Sequence, residues 1–504
     1  MNDVKCLWDQ LLNEGRRKKD SPKVPNKKAD RSDQPSPQEE KDTRTEIERD
    51  YDRILFATPT RRLADKTQVF PLDANDSVRT RLTHSHEVSN LGRSIGTSLA
   101  CEYGIAECSV SLKPQRNLPS LLAATGLVHD LGNPPFGHQG EIAIQSWFAD
   151  NKDTVLRPLA DDSQMQCDFL NFEGNAQGFR LVTRLQLLND DFGLDLTYAT
   201  LAAMMKYPTC SNQTNKEKGA SVASKKNGFF KSEEHIARQV WEKTGLGMGR
   251  RHPAAFLMEA CDDIAYVVLD AEDAVKKGLA SFSDLLAFLV HQGENDPVVA
   301  WVVSESQKKH DSYRESEPRL SPSELNDVSM QRFRVYAIGE LVKAATRAFI
   351  ENENNFLKGV VQKPLLEISR GEKLRKALKE FSYKHAYTHR SVLKVELQGY
   401  NVIRGLMDLF WAAIVDREKQ DDPTSDRLHP FSRFVYGRIS ENYRRIFETP
   451  ISEVASWPMR YRECQLLTDM LSGMTDSYAI DLHKELTEMQ GNYNPREIRS
   501  AHFE

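Results

Sequence analysis

The chain has 504 residues, which is enough for two or three domains or for one large helical body. Its formal net charge is −5, so the sequence as a whole is not a polycation built to bind nucleic acid. No run approaches the roughly 18 apolar residues of a membrane span, and the N-terminal residues lack the apolar core of a signal peptide. The seven cysteines form no CxxC pair, which favours reduced thiols and a cytoplasmic location.

The N-terminal region divides into a short helix and a polar stretch. Residues 1–14 place Val4, Trp8 and Leu11 or Leu12 at the spacing of an amphipathic helix. Residues 15–43 are almost free of apolar side chains and cannot bury enough surface to offset the entropy of ordering. We therefore interpret 1–43 as a short helix followed by a disordered linker. The basic segment 16–28 leaves open that this linker touches nucleic acid.

Helical periodicity continues from residue 44 to the C-terminus, and we predict an all-α fold. Residues 44–290 form the predicted core, interrupted by the polar stretch 208–231, which we interpret as a mobile loop. Residues 291–504 carry further helical patterns. The sequence shows no sustained strand alternation, no internal repeat, and no Walker or dinucleotide glycine motif.

The first candidate metal ligand lies on a helix predicted over 83–96. His84 recurs with Val88 and Ile95 on the apolar face, so it is predicted to point inward. His86 lies about 200° further around the helix and is predicted to face solvent. For His84 alone, a hydrogen-bonded core histidine remains the alternative.

A second helix is predicted to begin at Pro119, which suits a first helical position, and to stop at Gly132. His129 falls on its buried side, and Asp130 follows directly. An adjacent His-Asp pair at a buried helix end is costly unless both groups are paired or ligate something. A structural His–Asp ion pair therefore remains open.

A third helix, predicted over 256–275, carries Asp262, Tyr266, Asp270 and Asp273 within roughly 80° of one another. Like charges at this spacing repel unless a cation or a donor-rich ligand lies opposite. The four candidate ligands taken together are His84, His129, Asp130 and Asp262. This nitrogen–oxygen set suits Mn²⁺, Fe²⁺, Zn²⁺ or, with more water, Mg²⁺. Four ligands leave positions for water and phosphate oxygens, as in catalytic sites.

The order H…HD…D resembles the HD-domain phosphohydrolases. Seven ordered segments are more specific and resemble the deoxyguanosinetriphosphate triphosphohydrolases: RRLADKTQVFPL (61–72), RTRLTHSHEV (79–88), HDLGNPPFGHQGE (129–141), NFEGNAQG (171–178), MEACDDIAY (258–266), ELQGY (396–400) and SGMTD (472–476). The resemblance implies an HD-domain core in 44–290. It also implies that 291–504 completes the nucleotide pocket and contributes contacts of a homo-oligomer.

The activity implied by the resemblance is metal-dependent hydrolysis of dGTP to deoxyguanosine and triphosphate, by water attack at the α-phosphorus. Mn²⁺ or Mg²⁺ is the expected cofactor. One alternative is an HD-domain hydrolase of other dNTPs or of nucleoside monophosphates. Another is a nucleic-acid-binding protein with a relic site. Single-stranded DNA is a further expected partner of an active enzyme.

The resemblance also implies roles for individual residues. His138 and Glu141 would form a proton-transfer dyad, although Glu141 could instead cap a helix start. The implied substrate contacts are Arg81 and Lys206 at the triphosphate, Tyr266 at the 2′ position, Asp270 and Gln68 at the 3′-hydroxyl, Asn175 in the pocket wall, and Glu396 and Arg433 at guanine. The sequence leaves alternatives without a catalytic role open: Arg81 as a surface helix residue, Arg433 in a surface ion pair, and Lys206 as a snorkelling side chain. Asn171 stands where relatives commonly have His, so we assign it no chemistry.

Overall fold

The computed structural model describes residues 2–21, 42–69, 79–107, 109, 112–186, 191–217, 219–293, 295–317, 319–449 and 452–491. The helices in this part are, in chain order, α1 (Asn2–Leu11), α2 (Arg17–Asp20), α3 (Glu46–Leu55), α4 (Thr58–Arg62), α5 (Arg81–Thr97), α6 (Pro114–Val128), α7 (Gly137–Asp150), α8 (Ser163–Leu170), α9 (Gly174–Arg180), α10 (Tyr198–Met204), α11 (Glu234–Thr244), α12 (Pro253–Lys276), α13 (Phe282–Gly293), α14 (Pro297–Ser316), α15 (Pro322–Lys358), α16 (Glu372–Ser382), α17 (Arg390–Val415), α18 (Pro430–Gly437), α19 (Glu441–Glu448), α20 (Ser452–Ala455), α21 (Met459–Ser472) and α22 (Asp476–Met489).

The predicted all-α fold is confirmed. Across the described ranges the only extended pairing consists of three isolated bridges, and no sheet forms. In the same part of the chain, no helix combines the length and the apolarity that a membrane crossing requires.

Helix α6 lies between two apolar cores. Its first half contributes Leu118, Leu121 and Leu122 to a core built mainly with α5 and α12–α16. Its second half contributes Leu127 and Val128 to a core built mainly with α7–α11, α17 and α21. Because α6 is covered on both sides, the residues at its C-terminal end are held where the two cores meet.

Small residues let α5 and α6 cross closely. A Cβ atom at Gly92 would lie 2.9 Å from the carbonyl oxygen of Leu122, and one at Gly126 would lie 2.8 Å from the backbone of Ser89. Only glycine permits this approach of the two backbones. The antiparallel crossing brings the start of α5 to the end of α6, and the rings of His84 and His129 lie 5.5 Å apart.

The predicted start of α6 at Pro119 is wrong. The helix begins at Pro114, and Pro119 lies inside it. Pro114 occupies the first helical position, where the missing N–H costs nothing. Pro119 leaves the carbonyl of Gln115 without its helical donor, but Gln115 is exposed and water can replace that bond.

Helix α1 lies within the segment predicted as the N-terminal helix, and Trp8, Leu11 and Leu12 are buried. Part of the predicted linker is packed. Arg16 is 2% exposed and pairs with Glu46 at 2.6 Å and with Asp50 at 2.8 Å. At least this basic residue is thus neutralised within the fold. Residues 22–41, the rest of the predicted linker except 42–43, lie outside the described residues.

The stretch 208–231 contains short 3₁₀ helices at Ser211–Gln213 and Val222–Ser224, and a third, Lys231–Glu233, begins at its last residue. Phe229 and Phe230 are buried in one of the cores. The segment therefore has specific packing, while its mobility stays a prediction. The division of the chain at residue 290 also stays a prediction.

Candidate active site

Three predicted metal ligands meet at the crossing of α5, α6 and α12. The Nε2 atom of His84 lies 3.1 Å from Oδ1 of Asp262, and Nε2 of His129 lies 3.6 Å from the same oxygen. One ligand atom from each of the three residues lies within 4.8 Å of the others. The inward direction of His84 and the outward direction of His86 are confirmed, because His84 is buried and His86 is exposed.

The hydrogen bonding of His129 fits a cation. Its Nδ1 lies 2.7 Å from the carbonyl oxygen of Gly126, which can only accept, so Nδ1 carries the proton in the neutral ring. The Nε2 lone pair is buried without a hydrogen-bond partner and lies 3.6 Å from carboxylate oxygens of both Asp130 and Asp262. Burial opposes a charged ring, yet these two carboxylates raise the pKa of His129 to about 9. A positive charge is therefore favoured at this point, and the donor set fits a divalent ion.

Asp130 lies beside this group but is held by other partners. Its Oδ2 accepts a hydrogen bond from Nη1 of Arg81 at 2.8 Å, and its Oδ1 accepts one from the Asn133 amide at 2.5 Å. Burial works against its ionised form, but the Arg81 guanidinium and the His129 ring hold the pKa of Asp130 below its ordinary value. Asp130 as a fourth ligand stays a prediction. The alternative that Arg81 is a surface residue is wrong, because Arg81 is only 9% exposed.

His138 and Glu141 lie together on the first turns of α7. The helix begins at Gly137, so Glu141 is its fifth residue and not a capping residue, and that alternative is wrong. Glu141 accepts a bond from the Gly174 N–H at 2.7 Å, and its other oxygen lies 3.2 Å from Nδ1 of His138. The bond to Glu141 raises the pKa of His138. The buried carboxylate thus orients a histidine whose side chain is 73% exposed.

Sequence reasoning missed two charged neighbours of this pair. Nζ of Lys226 lies 2.8 Å from Glu173 and 3.9 Å from Glu141. Burial and the nearby Glu141 carboxylate raise the pKa of Glu173 to about 7. Glu173 stands in the segment NFEGNAQG, which could have marked it. Lys226 lies in a lysine-rich loop, where nothing in the pattern sets it apart.

Lys206 faces the acidic side of α12. Its Nζ lies 3.4 Å from Asp262 and 3.6 Å from Glu259. Burial would lower the pKa of Lys206, but Tyr207 and these carboxylates raise it well above its ordinary value. The snorkelling alternative is therefore wrong. Further along the acidic side of α12, Asp273 pairs with the guanidinium of Arg79, so part of the negative charge on this side is neutralised by the protein itself.

Tyr266 and Asp270 share a neighbour that the sequence did not reveal. The ring of Tyr387 stacks on Tyr266 at 5.9 Å with an angle of 28°, and its hydroxyl donates to a carboxylate oxygen of Asp270. Burial raises the pKa of Asp270 well above its ordinary value. Tyr387 lies in the turn Tyr383–Tyr387 before α17, far from α12 along the chain. Only the tertiary fold brings Tyr387 to the acidic side of α12.

A second cluster of backbone contacts fixes the start of α7. Nζ of Lys66, which is 3% exposed, donates to the carbonyl oxygens of Asn133 and Ser472 at 2.6 and 2.7 Å. Asp476 accepts from the N–H groups of Thr67 and Phe136 at 3.0 and 2.9 Å. The segment SGMTD therefore supports the loop between the His129-Asp130 pair and His138.

The remaining predicted residues differ in their placement. Gln68 is half-buried, and its Oε1 is buried without a hydrogen-bond partner. Asn175 is the second residue of α9, next to the Gly174 N–H that binds Glu141. Glu396 on α17 lies near His138, and burial raises the pKa of this carboxyl.

Within one chain, Arg433 does not lie beside Glu396. Its Nε donates to the carbonyl oxygen of Arg427 at 2.7 Å. The N–H of His429, at the start of α18, bonds to Asp416 at the C-terminal end of α17. Asp416 lies 20 residues beyond Glu396, which is about 30 Å along a helix.

No family model matches the chain. A deoxyguanosinetriphosphate triphosphohydrolase-like protein of Listeria monocytogenes is 35% identical over 488 residues, which cover 95% of this chain and 99% of that protein. A probable deoxyguanosinetriphosphate triphosphohydrolase of Pseudomonas aeruginosa is 34% identical over 88% of this chain and 93% of its own length. A deoxyguanosinetriphosphate triphosphohydrolase-like protein of Synechocystis sp. is also 34% identical, over 88% of this chain and 94% of its own length. Because this identity extends over most of each chain, the protein belongs to the deoxyguanosinetriphosphate triphosphohydrolase family of hydrolases.

Proposed function

We propose that the chain hydrolyses dGTP to deoxyguanosine and triphosphate at a divalent-metal site. The observation that carries this proposal is the environment of Nε2 of His129. Its lone pair is buried, has no hydrogen-bond donor, and lies 3.6 Å from carboxylate oxygens of both Asp130 and Asp262. The ion would be held by His84, His129, Asp130 and Asp262. Asp130 would either turn away from Arg81 towards the ion or share its carboxylate oxygens between Arg81 and the ion. Mn²⁺ or Mg²⁺ would supply the positive charge that polarises the α-phosphate and activates water.

In this proposal, His138 moves the proton. Glu141 accepts the Nδ1–H of His138, which leaves Nε2 as the atom that can take up or release a proton. The exposed ring can reach a substrate that lies over the start of α7. Glu141 is fixed in turn by the Gly174 N–H, so the dyad is positioned by two helices.

The triphosphate would lie among the cations of the site. Arg81, Lys206 and Lys226 each pair with carboxylates in the structure: Asp130, Asp262 and Glu173 respectively. A chain of phosphates would compete for these cations, and donors aimed at developing negative charge are the largest source of rate enhancement in such reactions.

For the deoxyribose, we propose that Tyr266, backed by Tyr387, fills the space of a 2′-hydroxyl. Asp270 and the buried Oε1 of Gln68 would bind the 3′-hydroxyl, because Oε1 is an acceptor without a donor. Asn175 would line the pocket.

At the base, the carboxylate of Glu396 would accept from the N1–H and N2–H₂ donors of guanine. Arg433 lies on α18, which begins beside the C-terminal end of α17, about 30 Å along that helix from Glu396, and this is too far to join the same pocket. A role for Arg433 would therefore require a second copy of the chain, in a homo-oligomer. Single-stranded DNA as a partner and a cytoplasmic location are also part of the proposal.

The test is to compare hydrolysis of the four dNTPs and dGMP with Mn²⁺ or Mg²⁺ and to identify the products. We expect dGTP to give the highest rate, with deoxyguanosine and intact triphosphate as products. His138→Asn should abolish turnover, whereas His86→Asn, at the exposed histidine of α5, should leave it unchanged. Release of pyrophosphate, or equal rates for both variants, would contradict the proposal.

A further inference from the structure

A cavity of about 410 Å³ is lined in part by Gly473, Met474 and Thr475 of the SGMTD segment. It is formed where the end of α4, the junction of α18 and α19, and the start of α22 meet. Its polar wall contains Arg62, Arg438, Ser440, Tyr443 and Thr475. No carboxylate is among the residues that line it, although they include two arginines.

The two arginines are available to an anion. Arg62 donates to the carbonyl oxygen of Gly473 at 3.0 Å and lies 3.5 Å from the hydroxyl of Tyr443. Among the described residues it has no carboxylate within ion-pair distance. Arg438 pairs with Glu485 at 3.3 Å, and both side chains are more than a third exposed. An ion pair of that kind contributes little and is readily exchanged for another anion.

Two helix starts lie at the same wall, each with one carboxylate in its first turn, Glu441 in α19 and Asp476 in α22. Ser440 is the N-cap of α19, and its hydroxyl makes no capping bond. Thr475 is the N-cap of the 14-residue helix α22. Backbone N–H groups in the first turn of a helix favour phosphate and carboxylate oxygens.

The rest of the cavity is apolar. Met470, Met474 and the ring of Tyr478 also line it. The volume lies in the range of small-molecule sites, which combine an apolar lining with a few polar groups. We propose that this cavity binds a phosphate monoester with an apolar body, the phosphate against Arg62 and Arg438 and the body against the two methionines.

This site is separate from the proposed active site, although the two share a support. Gly473 and Thr475 line the cavity, whereas the flanking Ser472 and Asp476 bind Lys66 and the N–H of Phe136, which do not line it. No residue of the cavity is a proposed metal ligand or substrate contact.

Isothermal titration of the full chain with phenyl phosphate and with inorganic phosphate, in EDTA and at constant ionic strength, tests the site. We expect phenyl phosphate to bind more tightly, because only it fills the apolar half. Arg438→Gln should weaken its binding by about tenfold, since a charge-assisted bond is lost. Glu485→Gln should strengthen it by about threefold, because Arg438 then has no competing carboxylate.

The matched control is Arg445→Gln, which removes an exposed arginine of α19 that does not line the cavity. Its titration should equal that of the unmodified chain. The opposite signs expected for Arg438→Gln and Glu485→Gln cannot arise from a loss of folding. If both variants titrate like Arg445→Gln, phenyl phosphate binds elsewhere and the inference is wrong.

Discussion

Replacing Glu141 by Gln tests how the buried carboxylate acts on His138. The substitution keeps the side-chain volume. It also keeps one oxygen to accept from the Gly174 N–H, which lies 2.7 Å from Glu141 in the unmodified protein. What it removes is the negative charge that lies 3.2 Å from Nδ1 of His138. Because the His138 side chain is 73% exposed, this ion pair should contribute less than about 1 kcal/mol to the free energy of unfolding. The fold should therefore survive.

The kinetic effect should be much larger. General acid–base catalysis contributes roughly 10²–10⁴-fold, and a neutral amide no longer holds the imidazole in the required tautomer, so we expect kcat to fall by about 10²-fold or more. The bond to Glu141 raises the pKa of His138, so its loss lowers that pKa. The limb of the pH–rate profile that belongs to His138 should therefore move to lower pH, whether the ring acts as acid or as base.

The assay is steady-state hydrolysis of dGTP over a pH series at saturating Mn²⁺, with thermal unfolding of both proteins as a control. A variant that unfolds at the same temperature but keeps kcat within about threefold, with the limb at its original pH, would refute the proposed dyad.

Three further outcomes are expected. Asp262→Asn should weaken Mn²⁺ binding in equilibrium dialysis by at least about tenfold, because a direct ligand matters more than its outer partners; unchanged affinity would remove Asp262 from the site. Tyr387→Ala should lower the ratio of kcat/KM for dGTP over GTP by about tenfold, since Tyr266 loses the ring stacked on it; an unchanged ratio would separate Tyr387 from sugar selection. Burial lowers the pKa of His252 to about 4, so the unfolded chain binds more protons below pH 6.5 and stability falls as the pH drops towards 4. His252→Asn keeps the N-cap of α12 and should remove about 2–3 kcal/mol of that loss between pH 7 and 4.5 in urea unfolding; equal losses in both proteins would show that His252 titrates normally.

The predictions that succeeded rest on local geometry. The helical period alone places His84 inward and His86 outward, and it puts Asp262, Tyr266 and Asp270 on one side of α12. Such patterns depend on neighbours within a few turns, so a single sequence contains them. The all-α fold follows from the same signal.

The features that were missed depend on contacts distant in sequence. Tyr387 reaches Asp270, and Lys226 reaches Glu141, only through the tertiary fold. Local signals also misled where two residues could play one role: Pro114 and Pro119 both suit a helix start, and the structure uses Pro114. The composition of 15–43 predicts a solvated Arg16, yet this residue is buried because Asp50 lies opposite it and forms an ion pair with it.

In the proposed reaction, water attacks the α-phosphorus and the whole triphosphate leaves. Hydrolysis of dGTP in ¹⁸O-labelled water, followed by mass spectrometry of the products, tests this step. We expect the label in an intact triphosphate and none in deoxyguanosine. Labelled dGMP with pyrophosphate, or labelled deoxyguanosine, would contradict it.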